Sequence, residues 1–192
     1  MSENQIEIKF AKGMEIAISD TKTSYEIGVE LLSICREQND KHGMAKAYLL
    51  LSYSGQFLGF YAQSYEYINL SIPLFNKYKD LKNLASAYNA LGFIFYYFDD
   101  HENRLEVNLK SLELSRSLGD ENACLKSLNN TGDTYLKLGR YEKALDLFNE
   151  TISSCGQDKR MMAIVLSNIA ETNLFLNNNE DALKTADESI KY

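Results

Sequence analysis

The chain has 192 residues, of which 45% are hydrophobic and 24% charged, a composition that is ordinary for a folded protein and excludes a disordered one. Its 27 acidic and 20 basic residues give a net charge of −7, the wrong sign for a general binder of nucleic acid or of anionic membranes. The single proline predicts long, uninterrupted elements, because proline is the commonest helix breaker.

Three further features of the sequence predict a cytoplasmic protein. The longest apolar run, Leu91 to Phe98, is far shorter than the ~20 residues that span a bilayer. The first residues carry neither the basic region nor the apolar core of a signal peptide. The three cysteines, Cys35, Cys124 and Cys155, follow no pattern, which is typical of reduced thiols.

The sequence repeats itself with a period close to 40 residues. Towards the C-terminus the offset falls to 38, as from Ala144 to Ala182. A fixed period of this length, without strand-like alternation, predicts an array of helical repeats. The offset of 40 relates three clear pairs: Gly92 with Gly132, Asn89 with Asn129, and Tyr48 with Tyr88.

Each repeat divides into two helices. Leu125, Leu128 and Tyr135 have the three-and-four spacing of one helical face. Asp120 is a suitable N-cap before that helix, and Gly139 can take the left-handed conformation that ends it. Repeating this division predicts five pairs of helices: 3–18 with 22–38, 42–58 with 61–78, 81–98 with 101–118, 121–138 with 141–155, and 158–176 with 179–191.

The fourth pair resembles the tetratricopeptide repeat, whose pattern falls on Leu128, Thr131, Gly132, Tyr135, Ala144, Phe148 and Gly156. The resemblance implies an all-α, right-handed α-solenoid of about five antiparallel helix pairs. It implies one array over 1–192, with a divergent pair at 1–40 and repeats at 41–80, 81–120, 121–157 and 158–192. Arg104 and Asn108 depart from the pattern, so the docking of their helix is the least determined part of the predicted stack.

The two ends of the array differ from its middle. The first helix has an apolar stripe but no repeat motif, so we interpret it as an N-terminal cap. At the other end, Leu183, Ala186 and Ile190 lack part of the cover that a following helix would give. This favours further repeats or an output domain beyond residue 192. The alternative is that the last pair is simply more polar, as the run 177–179 of asparagines suggests.

Residues that could carry chemistry are few. His42 and His101 stand at predicted helix starts and belong to no metal-ligand pattern. The glycines at 55 and 59 lack the lysine and the strand that a phosphate-binding loop requires. No nucleophile, base and orienting group come together in the sequence, which predicts a protein that is not an enzyme and holds no metal or cofactor.

The resemblance implies a concave groove lined by the first helix of each pair. Its predicted wall is aromatic in the first half and amide-rich and charged in the second, and spaced asparagines suit the backbone of an extended peptide. The alternative is that the asparagines bond neighbouring helices and the aromatic rings form core between repeats. The candidate groove residues are Tyr53, Phe57, Asn89, Phe93, Tyr96, Tyr97, Lys126, Asn129, Asn130, Asp133, Lys137, Asn168 and Glu171.

Two classes of function fit the sequence. The first is a non-catalytic module that binds a protein or an extended peptide, set in the N-terminal sensory or regulatory region of a bacterial signalling protein such as a diguanylate cyclase or a histidine kinase. The second is a structural scaffold that forms a homodimer through its C-terminal helix pair. Neither involves a nucleic acid or a membrane as partner.

Overall fold

The computed structural model describes residues 3–156 and 158–192, and within these ranges it contains ten α-helices and no strand. Each helix begins and ends within two residues of its predicted bounds, so the all-α prediction is confirmed. The helices are α1 (Glu3–Ile16), α2 (Thr21–Glu37), α3 (Lys41–Phe57), α4 (Tyr61–Tyr78), α5 (Leu81–Tyr97), α6 (His101–Leu118), α7 (Glu121–Lys137), α8 (Tyr141–Ser154), α9 (Lys159–Phe175) and α10 (Asn179–Ser189).

Aspartates and left-handed residues set the helix boundaries. Gly139 has φ +70° just after α7, as predicted, and Lys79 takes the same conformation after α4 with φ +56° although it carries a side chain. Aspartate side chains accept a hydrogen bond from a backbone N–H in the first turn of five helices, which satisfies a donor that the helix leaves free. These capping residues are Asp20, Asp40, Asp80, Asp120 and Asp158.

The chain divides into two compact units, one ending at Asp100 and the other beginning at His101. In the first unit α1 packs against α2 and α3, α3 against α2 and α4, and α4 against α5. In the second unit α7 packs against α6 and α8, and α9 against α8 and α10. The core of the second unit lies among α7, α8 and α9 and contains Leu136, Ala144, Phe148, Val165 and Ile169.

Pro73 does not end its helix. The sequence predicts a kink or a stop in the last turn, since proline removes a backbone donor. The helix α4 instead continues to Tyr78. Ser71 and Phe75 are fully buried on either side of Pro73, which itself is exposed, so packing holds the segment helical while the ring faces away from the protein.

Asp80 joins two neighbouring repeats of the first unit. One carboxylate oxygen accepts from the backbone N–H of Asn83 at 3.2 Å, and the other accepts from the Asn83 side chain at 2.8 Å and lies 2.8 Å from Nε2 of His42. Burial alone would raise the pKa of Asp80, but the hydrogen bonds from Asn83 and His42 and the charge of His42 outweigh it and lower the pKa below its usual 3.8.

Replacing Asp80 by alanine should lower the free energy of unfolding at neutral pH by about 1–2 kcal/mol, the usual effect of losing an N-cap. The folded-state pKa of Asp80 is lowered, so its stabilisation is present above the unfolded-state pKa and is lost as the pH falls through the folded-state value. The gap in stability between wild type and Asp80→Ala should therefore narrow below pH ~4 in urea unfolding followed by circular dichroism.

The control is Asp80→Asn, which keeps a capping oxygen and removes the charge. We expect it to lose less stability than the alanine variant at neutral pH. A gap between wild type and Asp80→Ala that stays constant into acid would show that the charge of Asp80 contributes nothing.

Candidate binding surface

Five of the predicted groove residues form one continuous cluster of rings in the first unit, which we call the aromatic surface: Tyr53, Phe57, Phe93, Tyr96 and Tyr97. Ring centroids lie 5.5 Å apart for Tyr53 and Phe57 on α3, and 5.9 Å apart between Phe57 and Phe93 of α5. Phe93 lies 5.3 Å from Tyr97, and Tyr97 lies 6.1 Å from Tyr96. The rings of Phe57, Phe93, Tyr96 and Tyr97 remain 37–49% exposed.

Helical spacing explains why these rings meet. Tyr53 and Phe57 are four residues apart on α3, as are Phe93 and Tyr97 on α5, and side chains at this spacing share a helical face. The buried side chain of Gln56 donates to the carbonyl oxygen of Ala90 at 3.1 Å and joins the two helices beneath the rings. The four-residue spacing of the rings in the sequence therefore predicted the aromatic surface.

The aromatic surface does not extend along the whole of α3. Nearer the start of that helix, Lys46 is 5% exposed and forms an ion pair with Glu7 of α1. Leu49 is fully buried, and Leu50 lies against Gly13 of α1. The first helix thus covers α3 up to about the point where the aromatic surface begins. Asn89, another predicted groove residue, is half-buried on α5, one turn before Phe93.

Tyr61 adjoins the aromatic surface, although the sequence did not indicate it as a groove residue. Its ring stacks on Tyr97 with centroids 3.6 Å apart and an interplanar angle of 26°. Desolvation, followed by the hydrogen bond with Tyr97, raises the pKa of Tyr61 to about 12, so the hydroxyl stays protonated at neutral pH. The repeat offers a sequence signal for Tyr61, because a tyrosine also stands at the equivalent position two repeats later. That residue, Tyr141, stacks on Phe175 with ring centroids 5.2 Å apart.

Most of the predicted residues of the second unit contact one another or a neighbouring helix. Nδ2 of Asn168 donates to Oδ1 of Asn129 at 3.0 Å, joining α7 and α9. Lys137 and Glu171 form an ion pair of 3.0 Å between the same helices. Lys126 is exposed on α7. The Asn168–Asn129 hydrogen bond agrees with the alternative that the asparagines bond neighbouring helices. Ligand binding by the side chains of the second unit stays a prediction.

Polar contacts dock α6 on α7, where the repeat pattern has small and aromatic residues. Nη2 of Arg104, only 7% exposed, donates to Oδ2 of Asp133 at 2.7 Å. Nδ2 of the buried Asn108 donates to the carbonyl oxygen of Asn130 at 3.2 Å and to the hydroxyl of Thr134 at 3.0 Å. The two departures from the pattern are thus accommodated by an ion pair and a hydrogen-bonded amide.

The described residues hold no group of three or more His, Cys, Asp or Glu side chains placed to bind a metal ion. Burial, followed by the charge of Asp40, raises the pKa of the Cys35 thiol to about 11, and burial also raises the pKa of Cys155. Both groups are therefore protonated and poor nucleophiles at neutral pH. No helix in the described part of the chain is both long enough and apolar enough to cross a membrane.

Paired antiparallel helices, recurring every 38–40 residues, define a helical-repeat protein. Residues 105–157 match the model of the tetratricopeptide repeat family. A stretch of 66 residues is 36% identical to human G-protein-signaling modulator 1. That stretch covers 34% of this chain and 10% of the human protein.

Solved structures extend the likeness of fold to nearly the whole chain. The apo form of RapI superposes with a TM-score of 0.82 at 20% identity, over 96% of this chain and 69% of that one. A signal transduction ATPase with a tetratricopeptide repeat sensor, from Pyrococcus horikoshii, superposes with a TM-score of 0.79 at 23% identity. That match covers 94% of this chain and 28% of the ATPase. The predicted solenoid class is confirmed.

Proposed function

We propose that this chain is a non-catalytic module that binds a protein or an extended peptide, and that the aromatic surface is its point of contact. The observation that carries this proposal is the continuity of exposed rings across α3 and α5. Tetratricopeptide repeats are a fold of interaction modules, and the aromatic surface supplies a specific place for the interaction.

Physical chemistry favours a protein ligand on such a surface. Exposing several large rings side by side leaves apolar area in water, which folded proteins seldom do outside binding sites. Aromatic side chains offer large contact areas at a small cost in conformational entropy, and Tyr and Trp are enriched among the residues that dominate binding energy. The polar pairs of the second unit, such as Lys137 with Glu171, already satisfy each other and offer less to a ligand.

Selecting a displayed library of random peptides against the wild-type chain should yield peptides that depend on the aromatic surface. The double variant Phe57→Ala with Phe93→Ala should bind the best of them about tenfold more weakly or worse, since losing an aromatic anchor typically costs more than 1 kcal/mol. Isothermal titration calorimetry measures the change, and circular dichroism checks that both proteins keep the same helicity.

A matched control is Val29→Ala with Leu70→Ala, which removes two side chains that are about half exposed on the second helices α2 and α4. We expect this variant to bind as the wild type does. The proposal is overturned if no peptide is selected, or if the control and the aromatic variant weaken binding equally.

A scaffold that homo-oligomerises through its terminal helices is the second candidate. Leu183 of α10 and Ile190, the residue just after that helix, are 67% and 82% exposed, whereas Leu145 and Ile152, one repeat earlier, pack against the core of the second unit. Light scattering of the unliganded chain distinguishes the candidates. A stable dimer that Leu183→Asp dissociates favours the scaffold, and a monomer at all concentrations excludes it.

The setting that we propose is regulatory, as the N-terminal sensory region of a cytoplasmic bacterial signalling protein. Two similar proteins support it by their descriptions, the archaeal signal transduction ATPase with its repeat sensor and the human modulator of G-protein signalling. The three free thiols suit a reducing compartment. The intact mass of the polypeptide in its own cells tests this setting, because an attached output domain would raise it well above 21.9 kDa.

A further inference from the structure

The second unit contains an open cavity that the proposed function does not use. It lies between the end of α6, the start of α7 and the end of α8. Its volume of about 560 Å³ is within the range of roughly 300–1,000 Å³ that is typical of ligand pockets. Two of its lining residues, Leu125 and Leu128, are buried and apolar. The cavity therefore has the size and the apolar wall that a small organic ligand requires.

A buried hydroxyl group in the wall of this cavity has no partner. Ser115 is fully buried on α6, and its Oγ atom makes no hydrogen bond. Leaving a buried polar group without a partner costs free energy, and native proteins contain few such groups. Because a hydroxyl can both donate and accept, an amide or carboxylate group of a ligand in the cavity would satisfy it.

The same wall contains Cys124, which is the most accessible of the three cysteines. It is half-buried on α7, whereas Cys35 and Cys155 are buried and the pKa values of their thiols are raised. A thiol exchanges with a disulfide only where the disulfide can reach its sulfur. Access therefore favours Cys124 for reaction with a small disulfide that enters the cavity.

Charged groups of both signs lie at this thiol. The guanidinium of Arg116 on α6 donates hydrogen bonds to Glu150 of α8 and to the sulfur of Cys124. The side chains of Arg116 and Glu150 are 50% and 43% exposed, and exposed pairs of this kind contribute little to stability. The guanidinium can therefore turn to the carboxylate of a ligand at small cost, which leaves Glu150 for an ammonium group of the same ligand.

We propose that Cys124 forms a reversible mixed disulfide with a small zwitterionic thiol that contains a cysteine unit, and that the attached group lies in this cavity. The thiolate of Cys124 attacks one sulfur of the corresponding small disulfide. The disulfide bond of that molecule breaks and a new one joins its sulfur to Cys124. The other half leaves as a thiolate and takes up the proton that Cys124 released, so no further oxidant is needed.

The test measures this equilibrium on the whole chain in buffers of oxidised and reduced glutathione. Intact mass gives the number of adducts, and peptide mapping locates them. We expect one adduct, on Cys124, with an equilibrium constant about tenfold larger in the folded chain than at the same cysteine in urea, the effect of one or two added hydrogen bonds. Bis(2-hydroxyethyl) disulfide, which carries no charge, should show little of this difference.

Three variants locate the effect. Arg116→Gln should lower the equilibrium constant for glutathione several-fold in the folded chain. The matched control is Arg140→Gln, which removes the guanidinium of another exposed pair, with Glu102, and should leave the constant unchanged. Ser115→Ala should lower the constant about threefold and leave the reduced chain at least as stable, because the hydroxyl has no hydrogen bond to lose.

Equal equilibrium constants at Cys124 in the folded and the unfolded chain would overturn the proposal, since an ordinary exposed thiol behaves in this way. Preferential modification of Cys35 or Cys155 in the folded chain would overturn it too, as would equal effects of Arg116→Gln and Arg140→Gln. These outcomes leave the aromatic surface untouched, because its test uses peptides and a different unit of the chain.

Discussion

Replacing Arg104 by alanine is expected to lower the free energy of unfolding by about 3 kcal/mol, the effect of removing one partner from a buried ion pair. The Arg104 side chain is 8% exposed and that of Asp133 is 21% exposed, so the carboxylate would be left with little solvent to replace the guanidinium. Urea unfolding of the whole chain, monitored by circular dichroism, measures the loss.

Two companion variants separate the ion pair from other effects. Lys137→Ala removes a cation whose pair with Glu171 is exposed, with side-chain exposures of 34% and 42%, and it should cost less than about 1 kcal/mol. Arg104→Leu with Asp133→Leu should recover most of the stability, because apolar residues often replace a buried pair without loss. An Arg104→Ala variant as stable as Lys137→Ala would mean that the Arg104–Asp133 pair contributes little to the docking of α6 on α7.

The helix boundaries could be predicted because their causes are local. An aspartate at the start of a helix and a left-handed residue at the end of the previous one act within a single turn, and both recur with the period. Pro73 was the exception, since the expected stop depends on whether packing around Ser71 and Phe75 holds the helix together. That information lies in residues distant along the chain.

The pairing of polar side chains could not be predicted from helical faces alone, because it depends on which helices lie side by side. Equivalent helices of neighbouring repeats are adjacent, so partners stand roughly one period apart in the sequence. A search for opposite charges or amides at offsets of 34–39 would have found most of the pairs. They are Glu7 with Lys46, His42 with Asp80, Glu102 with Arg140, Arg116 with Glu150, Asn129 with Asn168, and Lys137 with Glu171.

The aromatic surface was predictable for the opposite reason, since its rings follow each other at four-residue spacing on two helices related by the period. The point on α3 at which the surface begins could not be predicted. The first helix carries no repeat motif, so the pattern did not indicate that it would cover the start of α3, where Glu7 pairs with Lys46 and Gly13 lies against Leu50. Tyr61 was missed because its helix is the second of its pair, although its ring reaches Tyr97.

Replacing Gly132 by alanine is expected to lower the free energy of unfolding by about 1–3 kcal/mol, the usual effect of adding a methyl group to a packed core. A Cβ atom at Gly132 would lie 2.6 Å from the Phe148 ring, which is fully buried in the core among α7, α8 and α9. Helix propensity alone would favour alanine over glycine by about 1 kcal/mol, so a loss of stability would come from the contact with Phe148. Urea unfolding measures it.

The identity of residue 148 should decide the sign of this substitution. In a Phe148→Leu background the ring atoms nearest to position 132 are gone, so Gly132→Ala should become neutral or stabilising by up to about 1 kcal/mol through helix propensity. Two substitutions in direct contact are expected to be non-additive in this way. An equal loss in both backgrounds would show that close approach of α8 to α7 is not what requires glycine here. Reversal of the sign would establish that the repeat pattern's small residue exists to admit the aromatic ring of the following helix.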